Sequence, residues 1–133
     1  MPTYQIEHIA LSVSNLDRSI EWYCANFGFE EEGRSDKPAL KVKIARLRLG
    51  NLWVEVFEPY ERRPLPEGED VLGTSLQRLG TKHMALLVDD IRAAREQLLA
   101  HGADLETDLT EGSTSSYLFC RDPDGILIEV IQR

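Results

Sequence analysis

An α+β fold built from two βαβββ modules is what this sequence predicts, and two observations carry the prediction. The first is an internal repeat. A shift of 75 positions maps His8 onto His83, Ala10 onto Ala85 and Val13 onto Val88, while a shift of 74 maps Val54 onto Ile128, Glu55 onto Glu129, Val56 onto Val130 and Phe57 onto Ile131. Segments at opposite ends of the repeat agree within one residue, so one supersecondary unit occurs twice. The second is the order of periodicities, which in each half runs from one strand to a helix and then to three strands.

The first module covers about 1–58. Residues 1–13 (MPTYQIEHIALSV) read as a strand with Ile9, Leu11 and Val13 on one face. Ser14 or Asn15 then caps a helix in which Leu16, Ile20, Tyr23 and Phe27 recur at spacings of three and four, and Gly28 stops it. Three strands follow over 29–34, 41–49 and 52–58, the last two joined by a tight turn at Gly50-Asn51. Residues 59–80 form a linker. It opens with PYERRPLPEGED, rich in proline and charge, and its second part, VLGTSLQRLG, adds a short helix. The second module, about 81–133, has a strand over 82–88 and a helix capped by Asp89 or Asp90 that carries Ile91, Ala94 and Leu98 and ends at Gly102. Strands over 103–108, 116–121 and 126–131 complete it, and DPDG at 122–125 suits a type I turn. The linker reads as a joint inside one architecture, so 1–133 is expected to form a single domain.

Composition narrows the function classes. A net charge of −8 argues against a nucleic-acid or anionic-membrane surface, either of which needs clustered Lys and Arg. No apolar run reaches membrane-spanning length, and no basic-then-apolar leader opens the chain. Cys24 and Cys120 form no CxxC pair and have no His-spaced partner, which excludes a disulfide framework and a zinc finger and points to a reducing cytoplasm.

Four polar residues stand at equivalent places of the repeat. Each copy sets a His early in its first strand and a Glu inside an apolar last strand: His8 and Glu55, then His83 and Glu129. Glu129 has Leu127 and Ile131 as same-face neighbours, and Glu55 has Trp53 and Phe57. A carboxylate among large apolar residues is costly unless it is neutralised. A divalent cation is the common cause that accounts for all four, since it neutralises two carboxylates and takes neutral imidazoles. Two His and two Glu without a thiolate suit Ni, Co, Zn, Mn or Fe. Four protein ligands on a six-coordinate metal leave two positions, enough for both oxygens of an enediolate and one short for a catechol plus dioxygen.

The chain resembles the vicinal oxygen chelate superfamily, which includes glyoxalase I, methylmalonyl-CoA epimerase, extradiol dioxygenases and the fosfomycin and bleomycin resistance proteins. The resemblance rests on HIALSV at 8–13, LDRSIEWYCANFGF at 16–29, LWVEVFEP at 52–59, KHMALLVDDI at 82–91 and RDPDGILIEV at 121–130. It implies that the two modules form a cupped mixed β-sheet and that His8, Glu55, His83 and Glu129 are metal ligands. It also implies a homodimer acting on a small-molecule substrate. The activity so implied is a metal-dependent lyase or isomerase/epimerase that stabilises the enediolate of a 2-oxo or thioester substrate, with Glu129 or Glu55 as the catalytic base. Two departures bear on the substrate. Glutathione-using lyases usually carry an arginine in the first strand, where Ser12 stands here, and the segment after Glu55 is Val-Phe-Glu-Pro, closer to the epimerase pattern.

Other readings compete. Trp53 and Phe57 on one face suit a non-catalytic binding or resistance protein that holds a planar drug, and an extradiol-type dioxygenase is a third reading. Trp22 and Tyr23 read as core, His101 as a solvated residue at a helix end, and Cys24 and Cys120 as apolar filling. Arg62 and Arg63 read as solvated linker or as a grip on an anionic substrate, and residues 110–116 as a polar loop or a source of hydroxyls at a pocket rim.

Overall fold

A computed structural model describes residues 1–133, and the chain divides into two compact units, Met1–Arg63 and Pro64–Arg133. The first unit contains β1 (His8–Ser12), α1 (Leu16–Phe27), β2 (Glu30–Lys37), a 3-10 turn at Pro38–Leu40, β3 (Val42–Leu49) and β4 (Leu52–Pro59). The second contains α2 (Leu72–Ser75), β5 (Met84–Leu87), α3 (Ile91–Ala100), β6 (Asp104–Glu111), β7 (Ser116–Arg121) and β8 (Leu127–Gln132). Both units have a four-stranded mixed sheet of the same order, β1-β4-β3-β2 and β5-β8-β7-β6, whose first and last strands in sequence pair in parallel and whose other pairs are antiparallel. The fold class is α+β, with the βαβββ unit present twice.

The repeat extends to single hydrogen bonds. Asn15 caps α1 by accepting from the Arg18 amide, and Asp90 caps α3 by accepting from the Ala93 amide. The first helical amides, Leu16 and Ile91, donate to side chains from the last strand, Glu58 Oε1 at 2.8 Å and Gln132 Oε1 at 2.9 Å. These bonds satisfy amides that have no partner inside the helix. Gly28 ends α1 at a φ of 77°, a left-handed conformation that a side chain disfavours.

Each sheet has one face against its helix and one face away from it. In β4 the residues facing the core, Val54 and Val56, are buried, whereas Trp53, Glu55 and Phe57 on the other face are half-buried. In β8, Ile128 and Val130 are buried and Glu129 and Ile131 are half-buried. With Leu47 and Leu118 fully buried beside them on the neighbouring strands, each such side chain contributes about 1.5–3 kcal/mol. The two carboxylates are therefore not forced into the core. They lie on the second face of each sheet.

Several boundaries differ from the sequence expectation. The first strand starts at His8, because its pairing with β4 begins at His8↔Trp53; Tyr4 and Ile6 are exposed rather than on a strand. β2 runs on to Lys37 instead of stopping at 34, since β3 pairs with it along its length although its EEEGRSDK sequence has no apolar alternation. β6 runs on to Glu111, so 110–116 is a hairpin rather than a loose loop: Glu111 pairs with Ser116, the Gly112 amide donates to the Ser115 carbonyl, and Ser113, Thr114, Ser115 and Ser116 line one side of a surface cavity, as the rim reading expected. In the turn at 122–125, the Gly125 amide donates to the Asp122 carbonyl at 3.0 Å, and buried Asp122 accepts from the amides of Asp124 and Ile126. No helix is long and apolar enough to cross a membrane.

Candidate metal centre

In both units the parallel pair of strands sets an alanine opposite the glutamate, Ala10↔Glu55 and Ala85↔Glu129. A methyl group at that place leaves room for the imidazole from two residues earlier. His8 Nε2 lies 3.2 Å from Glu55 Oε2, and His83 Nε2 lies 3.3 Å from Glu129 Oε1. The structure thus brings His8 to Glu55 and His83 to Glu129. It gathers no group of three or more His, Cys, Asp or Glu side chains placed to hold one metal ion.

The spacing fits two donors of one coordination shell. A metal bound at about 2.0–2.2 Å to nitrogen and oxygen holds adjacent donors roughly 3.0–3.5 Å apart. In the first unit the chemistry of the donors adds a second argument. Nδ1 of His8 bonds Glu7 Oε2, while Nε2 faces Glu55. A neutral imidazole has one N–H, so with Nδ1–H given to Glu7 its Nε2 meets Glu55 lone pair to lone pair. A cation between them removes that repulsion. With no thiolate in the set, the residues fit a divalent ion of the intermediate or hard kind.

The surroundings of the two pairs differ. In the antiparallel register Arg46 is opposite Glu55, and Phe119 is opposite Glu129. The Arg46 guanidinium bonds Glu7, lies 4.0 Å from Glu55 Oε1 and sits 4.9 Å from the centre of the Trp53 ring. Hydrogen bonds from His8 and then from Arg46 hold the Glu7 carboxyl below its ordinary range. Glu55 also lines a cavity of about 260 Å³ with Arg34, Lys37 and Arg46. In the second unit the His83 ring packs edge-on against Phe119 at 4.8 Å, and Phe119 is buried. Lys82, which precedes His83, is turned away: its ammonium donates to the carbonyls of Ser75 and Arg78 and stands 3.6 Å from Glu69.

Glu7, Arg46 and Phe119 were not among the residues the sequence singled out. Arg46 and Phe119 are legible only once the antiparallel register is known, and Glu7 only once the first strand is known to begin at His8. Of the others, Tyr23 is buried among Trp22, Phe27 and Phe29, and His101 is the exposed C-cap of α3. Arg62 donates to the Ser14 carbonyl at 3.1 Å. Cys120 is fully buried, which pushes its thiol up to about 12, and burial also raises Cys24.

Comparison with known proteins agrees with the fold. Over 132 residues the chain is 33% identical to a lactoylglutathione lyase of Haemophilus influenzae, covering 96% of this chain and 92% of that protein. It is 31% identical to a lactoylglutathione lyase of Arabidopsis thaliana over 134 residues, 95% of this chain but 43% of the plant protein, so it spans less than half the length of that relative. Among solved structures, a glyoxalase family protein from Enterococcus faecalis superposes with a TM-score of 0.79 at 25% identity, over 96% of each chain. The pattern of the glyoxalase/bleomycin resistance protein/dioxygenase superfamily matches residues 5–130. On the duplicated βαβββ topology and on this match over nearly its whole length, the chain belongs to that superfamily.

Proposed function

We propose that the protein is a glyoxalase I-like lyase that depends on a divalent metal, with His8, Glu55, His83 and Glu129 as the ligands. The observation that carries this reading is the pair of His–Glu contacts, 3.2 and 3.3 Å, at equivalent positions of the repeat. The naming of relatives favours a lyase over an epimerase. When bound, the metal supplies Lewis-acid stabilisation of negative charge on adjacent substrate oxygens.

The chain's own residues supply the rest. A glutamate takes the proton from the carbon beside a carbonyl and returns it to the neighbouring carbon, so that an adduct of a 2-oxoaldehyde with a thiol becomes a 2-hydroxy thioester. Atoms balance within the substrate, and no redox partner is needed. A carboxylate that cycles between charged and neutral forms is better placed away from a fixed cation. Arg46 is 4.0 Å from Glu55, whereas Phe119 is the residue paired with Glu129, so Glu129 is assigned the base. Arg34, Lys37 and Arg46 around the cavity beside Glu55 suit a substrate with an anionic end.

A drug-binding role is less well served, because the Trp53 face is covered by the protein's own Arg46. One His–Glu pair of each kind is needed for four ligands, and we assign the complete site to a homodimer that joins them across chains. The test is formation of the thioester from a 2-oxoaldehyde mixed with glutathione or with other small thiols. Turnover is expected with Ni, Co, Zn, Mn or Fe and is expected to vanish with a chelator. Turnover that survives chelation, or none with any metal and thiol, overturns the reading.

A further inference from the structure

The two half-sites are equivalent in backbone and unequal in chemistry. The repeat shift of 75 that maps His8 onto His83 also maps Glu7 onto Lys82. In the first unit the residue before the histidine is a carboxylate bonded to the ring's Nδ1. In the second it is a lysine whose ammonium is held by the Ser75 and Arg78 carbonyls, and the imidazole rests on Phe119.

We propose that Glu7 is a positioning residue for His8, and that it makes His8–Glu55 the stronger half of the metal site. The inference rests on the metal-dependent reading above. The Glu7 carboxylate accepts the Nδ1–H, selects that tautomer and leaves Nε2 bare toward Glu55. A carboxylate behind a ligand imidazole also raises its strength as a donor, and loss of such a partner typically lowers metal affinity about 10–100-fold. The same carboxylate engages Arg46, whose guanidinium is 4.0 Å from Glu55 Oε1, and so anchors a cation that otherwise competes with the metal for Glu55. Lys82 and Phe119 give His83 neither service; its orientation comes from packing.

The experiment has one arm with metal and one without. Without metal, nitrogen NMR of the His8 ring at alkaline pH is expected to find the proton on Nδ1 in the wild type and on Nε2 in Glu7→Ala. The same tautomer in both overturns the proposal, whatever metal does. With metal, Co(II) titration followed by its visible absorption is expected to show affinity reduced about 10–100-fold in Glu7→Ala, partly recovered in Glu7→Gln, and much less changed in Lys82→Ala. The loss is expected to persist in Glu7→Ala/Arg46→Ala. Recovery in that double variant means that Glu7 acts only by restraining Arg46, and it overturns the assignment to His8. Equal affinity of wild type and Glu7→Ala overturns the inference while the metal-dependent reading stands. A wild type that takes up no Co(II) defeats that reading, and the claim about the stronger half-site falls with it, while the tautomer result still decides whether Glu7 positions His8.

Discussion

Glu129 shows most plainly how the fold accommodates a charge inside an apolar strand. It interrupts an apolar strand, and the strand tolerates it because Ile128 and Val130 take the core face while Glu129 shares the other face with Ala85 and Phe119. The sequence made its setting conspicuous, but it could not say which face of the sheet the helix covers, and hence whether the carboxylate was buried. Its assigned role is tested by Glu129→Gln, which keeps the shape and a ligand oxygen while removing the base. Turnover is expected to fall about 100–10,000-fold, the usual contribution of a positioned base, with substrate affinity little changed. Glu55→Gln is the comparison. If it costs more turnover than Glu129→Gln at equal metal occupancy, the base is Glu55 and the assignment is reversed.

At the scale of the element, the periodicities proved reliable and the ends did not. The helices were legible because their apolar spacing and their caps, Asn15 and Asp90, are local signals. The length of β2 was not, because every residue in it is exposed and only pairing with β3 makes it a strand. One contact between elements provides a pH test. Arg95 on α3 grips Asp108 on β6 with two hydrogen bonds, Nε to Oδ1 at 2.5 Å and a terminal nitrogen to Oδ2 at 2.8 Å. The Arg95 bond first, and then the Leu109 amide, hold the Asp108 carboxyl down at about 2. A depressed carboxylate stabilises the fold above its unfolded value, and that contribution is lost as pH falls through the folded one. Because the pair is exposed, salt weakens it. The stability gap between wild type and Asp108→Asn is therefore expected at neutral pH and low salt, and to shrink as pH is lowered from the ordinary carboxylate range toward about 2. Thermal unfolding across that range checks it, and a gap that grows on acidification contradicts it.

For the molecule as a whole, the repeat was the most informative feature of the sequence. It predicted the same βαβββ unit twice, which the structure shows as two sheets of equal strand order, and it brought His8 and His83, Glu55 and Glu129 into one comparison. It could not show the inequality of the halves, since Arg46 and Phe119 become neighbours of the glutamates only through antiparallel register. Assembly is where the two halves matter together. If each site joins one pair from each of two chains, His8→Ala and Glu129→Ala homodimers have only damaged sites, but a mixed dimer has one intact site. After co-refolding equal amounts, about a quarter of wild-type sites are expected to return, since half the dimers are mixed and each has one good site in two. A mixture no better than the separate variants rules out sites shared between chains.

The central claim is that the two His–Glu pairs are one metal centre, and metal stoichiometry tests it most directly. Protein produced without an affinity tag, stripped and then titrated with Zn(II) or Co(II), is expected to bind one ion per chain tightly. Each of the variants His8→Ala, Glu55→Ala, His83→Ala and Glu129→Ala is expected to weaken that same single ion. Two ions per chain, or a pair of variants in one unit that leaves the ion untouched, would show two separate half-sites and contradict the account.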